Sequence, residues 1–311
     1  MPTTTADDRA FPEEFPAHTL RPARRGVYTR FFLKKEPLYT RDPGEGERQL
    51  TFLGTAGFVV AAAGHTIVLD PYLTRPSLRD TLFRPLVPDE RLLRREIPVA
   101  HDVLVGHAHH DHALDAPAVA RITGARVHGS AAVANLCRGY GLPEAQIHVV
   151  SAAEGAFACG PHRVTPLPSR HGKALLGRVP LPGDIPRPPP WPPRLRDLRH
   201  GDVHNWHLDL GGTSLVHVDS ADFLDETFTG RDCDVLCLCA VGRQYRQDYT
   251  RRALELLRPR VVVPCHWDDF TLPHDAAPRQ LPGVDVESFV EEIRAGGAAP
   301  VVLGLGQSWR F

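Results

Sequence analysis

The sequence predicts an α/β protein built in layers, with mixed β-sheets. Short strand-like runs broken by glycine crowd residues 50–69, and strand-like runs then alternate with helix-like runs from residue 101 onward. The chain has 311 residues, of which 42% are hydrophobic, so it is long enough to bury a sizeable core. This length suits one large domain or two modest ones.

The first predicted strands follow an N-terminal extension. Residues 1–48 are rich in proline, arginine and other charged residues, which predicts either a flexible tail or a structured cap. Residues 49–311 form the predicted domain. Strands are predicted at 50–53, 58–62, 66–69, 101–105, 126–128 and 147–150, and a hairpin turn at Gly64 leaves His65 exposed. Helices are predicted at 116–122 and 130–140, the second ending at Gly141.

The second half continues after a proline-rich insert, residues 178–193, with the sequence RVPLPGDIPRPPPWPP. Proline interrupts helices and central strands, so no regular element is predicted there. Before the insert we expect strands at 156–159 and 163–167. After it we expect one strand on either side of a Gly-Gly turn, and further strands at 234–239, 260–264 and 301–303. Helices are predicted at 248–257 and 286–295.

Composition excludes several classes of function. The formal net charge is −1, so no global field attracts nucleic acid or an anionic membrane. The N-terminus lacks a basic-then-apolar leader, and no window reaches the roughly 18 apolar residues of a membrane helix. The six cysteines form no C-x-x-C pair and are expected as buried thiols in a reducing compartment. We therefore expect a cytoplasmic protein; a homo-oligomer is compatible with the sequence, which does not fix the oligomeric state.

The stretch VGHAHHDHALD points to a metal site. It follows a predicted strand and spaces its polar residues as His107-x-His109-x-Asp111-His112. Imidazole and carboxylate are common ligands of divalent transition metals. The alternative is a surface loop that happens to collect histidines.

Three further candidates each follow a strand-like run: His171, Asp219 and His266. Loops at one edge of a sheet are where α/β folds build their sites. Five histidines and two aspartates fit two metal ions that share a bridging carboxylate and a bridging water. A set of ligands rich in histidine favours Zn²⁺, with Mn²⁺ or Fe²⁺ as alternatives.

HAHHDH resembles the H-x-H-x-D-H signature of the metallo-β-lactamase superfamily, and the three later residues match its remaining ligands in order. TFLGTAGFVV and IVLDPYL resemble the opening strands of that fold, so the likeness covers residues 48–270. The resemblance implies a four-layer αβ/βα sandwich with the site between two mixed sheets. It implies a first metal on His107, His109 and His171, a second on Asp111, His112 and His266, a bridging Asp219, and an orienting Asp70 behind a ligand histidine.

LGTAGFVV, LDPYL and PCHWDDF resemble most the branch that holds ascorbate-phosphate lactonase, with N-acyl-phosphatidylethanolamine phospholipase D as a more distant cousin. The implied activity is hydrolysis of a small ester, lactone or phosphoester by a metal-bridging hydroxide, with Asp111 and Asp219 as catalytic residues. A nucleic-acid phosphodiesterase and a non-catalytic metal-binding scaffold are the alternatives. The di-iron flavoproteins of the superfamily resemble H-x-E-x-D instead, and His109 argues against their chemistry.

Candidate substrate-binding residues lie near these loops: Tyr72, Arg243, Tyr245 and Trp267. A solvated loop is the alternative for Arg243 and Tyr245. The insert 178–193 lies between the loops of His171 and Asp219, so we expect it near the site, as a lid or wall in which Ile185 and Trp191 cover an apolar part of the substrate. An exposed spacer or a subunit contact are its alternatives.

Overall fold

The computed structural model describes residues 47–311, so the predicted extension lies outside the described residues except for its last two positions. Within the described part of the chain, fourteen β-strands form two seven-stranded sheets, and eight α-helices flank them. None of these helices is long and apolar enough to cross a membrane.

The first sheet has the strand order β14-β1-β2-β3-β4-β5-β6. The strands from β14 to β3 pair antiparallel, and those from β3 to β6 pair parallel. Its strands are β1 (Arg48–Gly54), β2 (Gly57–Ala62), β3 (His65–Leu69), β4 (Asp102–Leu104), β5 (Arg126–Gly129), β6 (Ile147–Val149) and β14 (Ser308–Arg310).

The second sheet repeats this pattern in the order β13-β12-β11-β10-β9-β8-β7. The strands from β7 to β10 pair antiparallel, and those from β10 to β13 pair parallel. Its strands are β7 (Phe157–Cys159), β8 (His162–Ser169), β9 (Val203–Asp209), β10 (Ser214–Val218), β11 (Val235–Cys239), β12 (Val261–Cys265) and β13 (Ala299–Pro300).

Alternating side chains along the strands build the layers. In β2, Phe58 faces the second sheet, where its ring lies 5.9 Å from that of His217, whereas Val59 packs with the helices on the outer face. The predicted four-layer αβ/βα sandwich is therefore confirmed. The helices are α1 (Leu78–Phe83), α2 (Glu90–Glu96), α3 (His110–Ala113), α4 (Ala116–Thr123), α5 (Ala131–Tyr140), α6 (Asp225–Phe228), α7 (Tyr249–Leu257) and α8 (Val286–Ala295).

The four predicted helices are confirmed as α4, α5, α7 and α8, with ends that shift by at most one residue. Local capping explains this agreement for α5: the Ser130 hydroxyl accepts from the Val133 amide at one end, and Gly141 adopts a left-handed conformation at the other.

One predicted element is wrong, and two helices were not predicted. The strand expected at 301–303 is displaced, because only β13 continues the second sheet and the chain then returns to the first sheet as β14 beside β1. Before residue 98 the structure also holds α1 and α2, two short helices that the sequence analysis did not predict. Their N-caps, Ser77 and Asp89, are signals that the proline-rich composition masked.

Candidate metal centre

The histidine-rich loop leaves the carboxyl end of β4 through a glycine. A Cβ atom at Gly106 would lie 2.1 Å from Oδ2 of Asp219, which follows β10. Glycine is thus required for the loop to approach Asp219. His107 and His109 precede α3, whereas Asp111 and His112 lie within its single turn. The change from extended to helical backbone aims the two pairs in different directions.

The first group of side chains, or first trio, consists of His107, His109 and His171, whose ring nitrogens lie within 4.8 Å of one another. Nε2 of His107 lies 3.0 Å from Nδ1 of His109. His171 follows β8, and its ring centroid lies 4.6 Å from those of both other histidines. The second sheet thus completes a trio that the β4 loop begins.

The second group, or second trio, consists of Asp111, His112 and His266, whose ligand atoms also lie within 4.8 Å of one another. Oδ2 of Asp111 lies 3.4 Å from Nε2 of His266 and 3.8 Å from Nε2 of His112. His266 follows β12 directly and has a left-handed backbone, with φ of 53°. Such a backbone in a histidine is uncommon and is typical of functional sites.

Asp219 joins the two groups. Its Oδ2 lies 2.6 Å from Nδ1 of His107 and 3.8 Å from Nδ1 of His112, so it contacts one member of each trio. Its Oδ1 is buried and has no hydrogen-bond partner among the described residues. A buried carboxylate oxygen without a donor is costly, and a bound cation is the usual partner in such a place.

The ring nitrogens that face away from the groups have fixed partners. Nδ1 of His112 lies 2.9 Å from Oδ2 of Asp70, and Nδ1 of His171 lies 2.7 Å from the carbonyl oxygen of Gly172. Nε2 of His109 lies 3.4 Å from the carbonyl oxygen of Leu181. When these acceptors hold the ring proton, the opposite nitrogen keeps a lone pair towards the group, which is the arrangement of metal-bound histidines.

The protonation states also suit a cation. Burial and the neighbouring His171 lower the pKa of His109 to about 3, and burial likewise lowers the pKa of His107 and His112, so these rings are neutral near pH 7. Burial and the charge of Asp219 raise the pKa of Asp70 well above its ordinary value. Positive charge placed among the buried carboxylates would relieve this repulsion. The donor set therefore fits divalent metal ions.

The structure places the four candidate substrate-binding residues differently. Tyr72 is buried, with its ring against His110, whereas Tyr245 is 41% exposed beside Gly177. Trp267 is fully buried and stacks on Phe52. The geometry gives Trp267 no access to a substrate.

Arg243 contacts α8 rather than the metal centre. Its guanidinium donates to the carbonyl oxygen of Asp285, lies 3.4 Å from Glu292 and covers the ring of Phe289. Two of its nitrogen atoms, Nε and Nη2, therefore have partners on the side of α8, and a substrate contact by Arg243 stays a prediction.

The proline-rich insert forms part of the wall of the site. Its Leu181 carbonyl contacts His109, while the Ile185 carbonyl accepts from the side chain of Asn135 in α5. Ile185 packs into the core of the first sheet and Trp191 packs on Tyr140. Both residues thus attach the insert to α5 and to the core of the first sheet, and the expectation that they cover an apolar part of the substrate stays a prediction.

Two parts of the site had no clear signal in the sequence. His200 stacks on His171 at 5.6 Å between ring centroids, but it is an isolated histidine after the insert. Arg75 and Asp268 form a buried ion pair of 2.8 Å behind the loops of the second group. Arg75 has a left-handed backbone conformation, which local propensity does not predict for arginine. The ion pair could therefore not be predicted from the sequence.

The two mixed sheets, with the histidine and aspartate groups at the carboxyl ends of their strands, define a metal-dependent hydrolase of the metallo-β-lactamase fold. The chain belongs to the β-lactamase superfamily, since the model of the family described as "Beta-lactamase superfamily domain" matches residues 49–266.

Similar proteins agree with this assignment. A UPF0173 metal-dependent hydrolase from Carboxydothermus hydrogenoformans is 29% identical over 264 residues, which are 83% of this chain and 98% of that protein. Igni18, a metallo hydrolase from Ignicoccus hospitalis, superimposes with a TM-score of 0.58 at 22% identity and covers 85% of this chain and 98% of its own. CmlA, a diiron β-hydroxylase from Streptomyces venezuelae, has a TM-score of 0.53 at 16% identity and covers 88% of this chain and 54% of its own. The two structural likenesses concern the fold alone.

Proposed function

We propose that the protein is a binuclear hydrolase that acts on a small ester, lactone or phosphoester. The observation that carries the proposal is the division of the ligand atoms into two compact trios with Asp219 in contact with both. His107, His109 and His171 would hold one divalent ion, and Asp111, His112 and His266 the other. The histidine-rich donor set favours Zn²⁺, with Mn²⁺ and Fe²⁺ as alternatives.

Two bound ions would supply a nucleophilic water of lowered pKa and positive charge for the oxygen atoms of the reacting group. The residues of the chain position these elements. Asp219 fixes the separation of the two trios, and Asp111 presents a carboxylate towards His112 and His266 from the turn of α3. Asp111 keeps its negative charge: burial opposes ionisation, but the neighbouring histidines outweigh it and hold the pKa of Asp111 well below its ordinary value. Asp111 is therefore ionised near neutral pH and can accept a hydrogen bond from a reacting water.

Hydrolysis by the full chain tests the proposal. Wild-type protein loaded with zinc is expected to hydrolyse bis(p-nitrophenyl) phosphate or a simple γ-lactone, and a chelator should abolish turnover. The lactone is included because of the resemblance to the lactonase branch, which stays a prediction. Preference for single-stranded RNA or DNA over both compounds would favour the nucleic-acid alternative and contradict the small-molecule assignment.

The variant His109→Ala tests the ligand assignment. It removes one ring from the first trio, so bound metal and turnover should fall together, while circular dichroism shows a retained fold. His207→Ala is the control, because His207 lies in β9 and contacts neither trio. Full activity of His109→Ala at full metal occupancy would contradict the assignment of His109 as a metal ligand.

A further inference from the structure

A second set of metal-capable side chains lies between the sheets, apart from the two trios. Asp102 begins β4, His128 lies in β5 and Cys159 ends β7, so the set spans both sheets. One ligand atom from each lies within 4.8 Å of the others, and all three residues are buried. The sequence analysis did not predict this set, because the three residues are isolated in separate strands.

A chain of hydrogen bonds leads from Glu154 through His148 to His128. Oε1 of Glu154 lies 2.9 Å from Nε2 of His148, and since a carboxylate accepts hydrogen bonds, His148 donates from Nε2. When His148 carries its single proton on Nε2, its Nδ1 has a lone pair, and this atom lies 2.8 Å from Nδ1 of His128. In that arrangement His128 donates from Nδ1 and keeps a lone pair on Nε2. Phe157 stacks on the His128 ring at 4.9 Å and maintains this orientation.

That lone pair faces a carboxylate. Nε2 of His128 lies 2.7 Å from Oδ1 of Asp102, and Sγ of Cys159 lies 4.0 Å from the same nitrogen. Two lone pairs at this distance repel unless the two atoms share a proton or bind a metal cation. The other oxygen of Asp102 lies 2.7 Å from Nε2 of His65, so the carboxylate also has an orienting partner. His65 was expected at an exposed hairpin turn, and that prediction is wrong because this contact draws the ring inward.

We propose that Asp102, His128 and Cys159 bind a third divalent ion, with zinc as the best match to a nitrogen, oxygen and sulfur donor set. Each histidine and carboxylate of the set has a second partner behind it, as metal ligands usually do. Binding of a tetrahedral ion with the usual bond lengths of about 2.0–2.3 Å would lengthen the contact of His128 with Asp102 and shorten that of His128 with Cys159, each by roughly half an ångström.

The exchange of protons for metal is neutral in charge. Without metal, a proton bridges His128 and Asp102 and the Cys159 sulfur carries another. A divalent ion that replaces these two protons brings two positive charges and releases two, so the buried set keeps its net charge. The interior of the sandwich therefore imposes no additional cost of burying charge on the loaded site. The ion joins β4 and β5 of one sheet to β7 of the other, so its role is structural.

Cobalt substitution tests this proposal on the full chain. The two trios contain no sulfur, so a cysteine thiolate bound to Co²⁺ can arise only outside them. We expect Co²⁺-loaded wild-type protein to show the near-ultraviolet absorption of thiolate-to-cobalt charge transfer, and Cys159→Ser to lose it. Cys137→Ser is the matched control, because Cys137 is also a buried free thiol but lies in α5. A cobalt-loaded wild type without this absorption, or an absorption that survives Cys159→Ser, would overturn the proposal.

Two further variants separate this site from the proposed function. His109→Ala should lose hydrolysis but keep the cobalt–thiolate absorption, whereas Cys159→Ser should lose one bound metal ion and keep hydrolysis. Should Cys159→Ser fail to fold, His128→Ala provides the same loss of absorption through a different ligand. Loss of the absorption in His109→Ala would show that the signal comes from the trios and would also overturn the proposal.

Discussion

At the residue scale, Asp70 fixes two parts of the metal centre with one buried carboxylate. Its Oδ2 lies 2.9 Å from Nδ1 of His112, and its Oδ1 accepts a hydrogen bond of 2.7 Å from the amide of Gly106. The residue follows β3 and has a left-handed backbone, with φ of 39°. The sequence predicted its orienting role through the resemblance, but the link to Gly106 came only from the structure.

We predict that Asp70→Asn weakens zinc binding by about 10–100-fold, the usual effect of removing an orienting partner. The Asn oxygen must accept from Gly106, so its amide NH₂ faces Nδ1 of His112 and forces the ring proton onto Nε2, the nitrogen that faces the second trio. Competition against a chromophoric chelator measures the affinity. Asp234→Asn is the control, since Asp234 accepts from the Ser214 amide away from both trios. Equal affinities of the wild type and Asp70→Asn would refute this role.

Asp115 is a second buried carboxylate with a different task. It accepts hydrogen bonds from the amides of Leu73 and Thr74, at 2.7 and 2.8 Å, and so ties the loop after β3 to the start of α4. Burial raises the pKa of Asp115 to about 6, although these hydrogen bonds oppose the rise. The ordinary value of 3.8 applies to the unfolded chain.

This difference predicts a pH effect on stability. Between pH 3.8 and about 6 the folded state binds a proton that the unfolded chain has lost, so the contribution of Asp115 to the unfolding free energy falls as pH rises through this window. The decrease is about 3 kcal/mol in total, at 1.36 kcal/mol for each unit of pKa difference. Urea unfolding of metal-free wild type and Asp115→Asn at several pH values measures it. Between pH 4 and 6 the unfolding free energy of the wild type should fall relative to that of Asp115→Asn. If the two unfolding free energies change in parallel with pH, the raised pKa of Asp115 is contradicted.

At the element scale, a buried ion pair holds three loops together behind the second trio. Nη1 of Arg75, after β3, lies 2.8 Å from Oδ2 of Asp268, after β12. Oδ1 of Asp268 accepts from the amide of Thr55 in the turn between β1 and β2, and the carbonyl of Thr55 accepts from the amide of His266. The position of His266 thus depends on an arrangement that spans both sheets.

Arg75→Met should lower the unfolding free energy by about 3–5 kcal/mol, because it leaves the carboxylate of Asp268 buried and unpaired. The exposed pair of Arg94 with Glu90 supplies the control, and Arg94→Met should cost less than about 1 kcal/mol. Denaturant unfolding compares the two variants. Recovery of part of the lost stability in the double variant Arg75→Met with Asp268→Leu would show that the unpaired charge is the cause, and similar costs for the two single variants would argue against it.

The elements differ in how far the sequence predicts them. Helices such as α5 were predictable because their apolar spacing and both caps agree. β14 was not predictable, because its three residues are stabilised by pairing with β1, which is far from β14 in the sequence. Short strands of this kind depend on tertiary contacts that local propensity does not contain.

At the scale of the whole molecule, the repeated sheet pattern explains why the sequence could predict which candidate metal ligands lie together. The strands β4, β8, β10 and β12 each deliver ligands just past their last residues, so the order of strand ends in the sequence already gathers the set. The packing of the candidate substrate-binding residues could not be predicted, because the positions of Arg243 and Trp267 depend on tertiary contacts with α8 and Phe52. Cytoplasmic location and oligomeric state stay predictions.

The most direct test of the binuclear proposal is a zinc titration of the metal-free Cys159→Ser chain, in which the proposed third ion cannot bind and only the two trios remain. Bound zinc and hydrolysis of bis(p-nitrophenyl) phosphate and a γ-lactone are followed together. We predict that turnover rises until two zinc ions are bound per chain and then stays constant. Full turnover with a single ion, or two bound ions without turnover of either compound, would contradict the binuclear hydrolase.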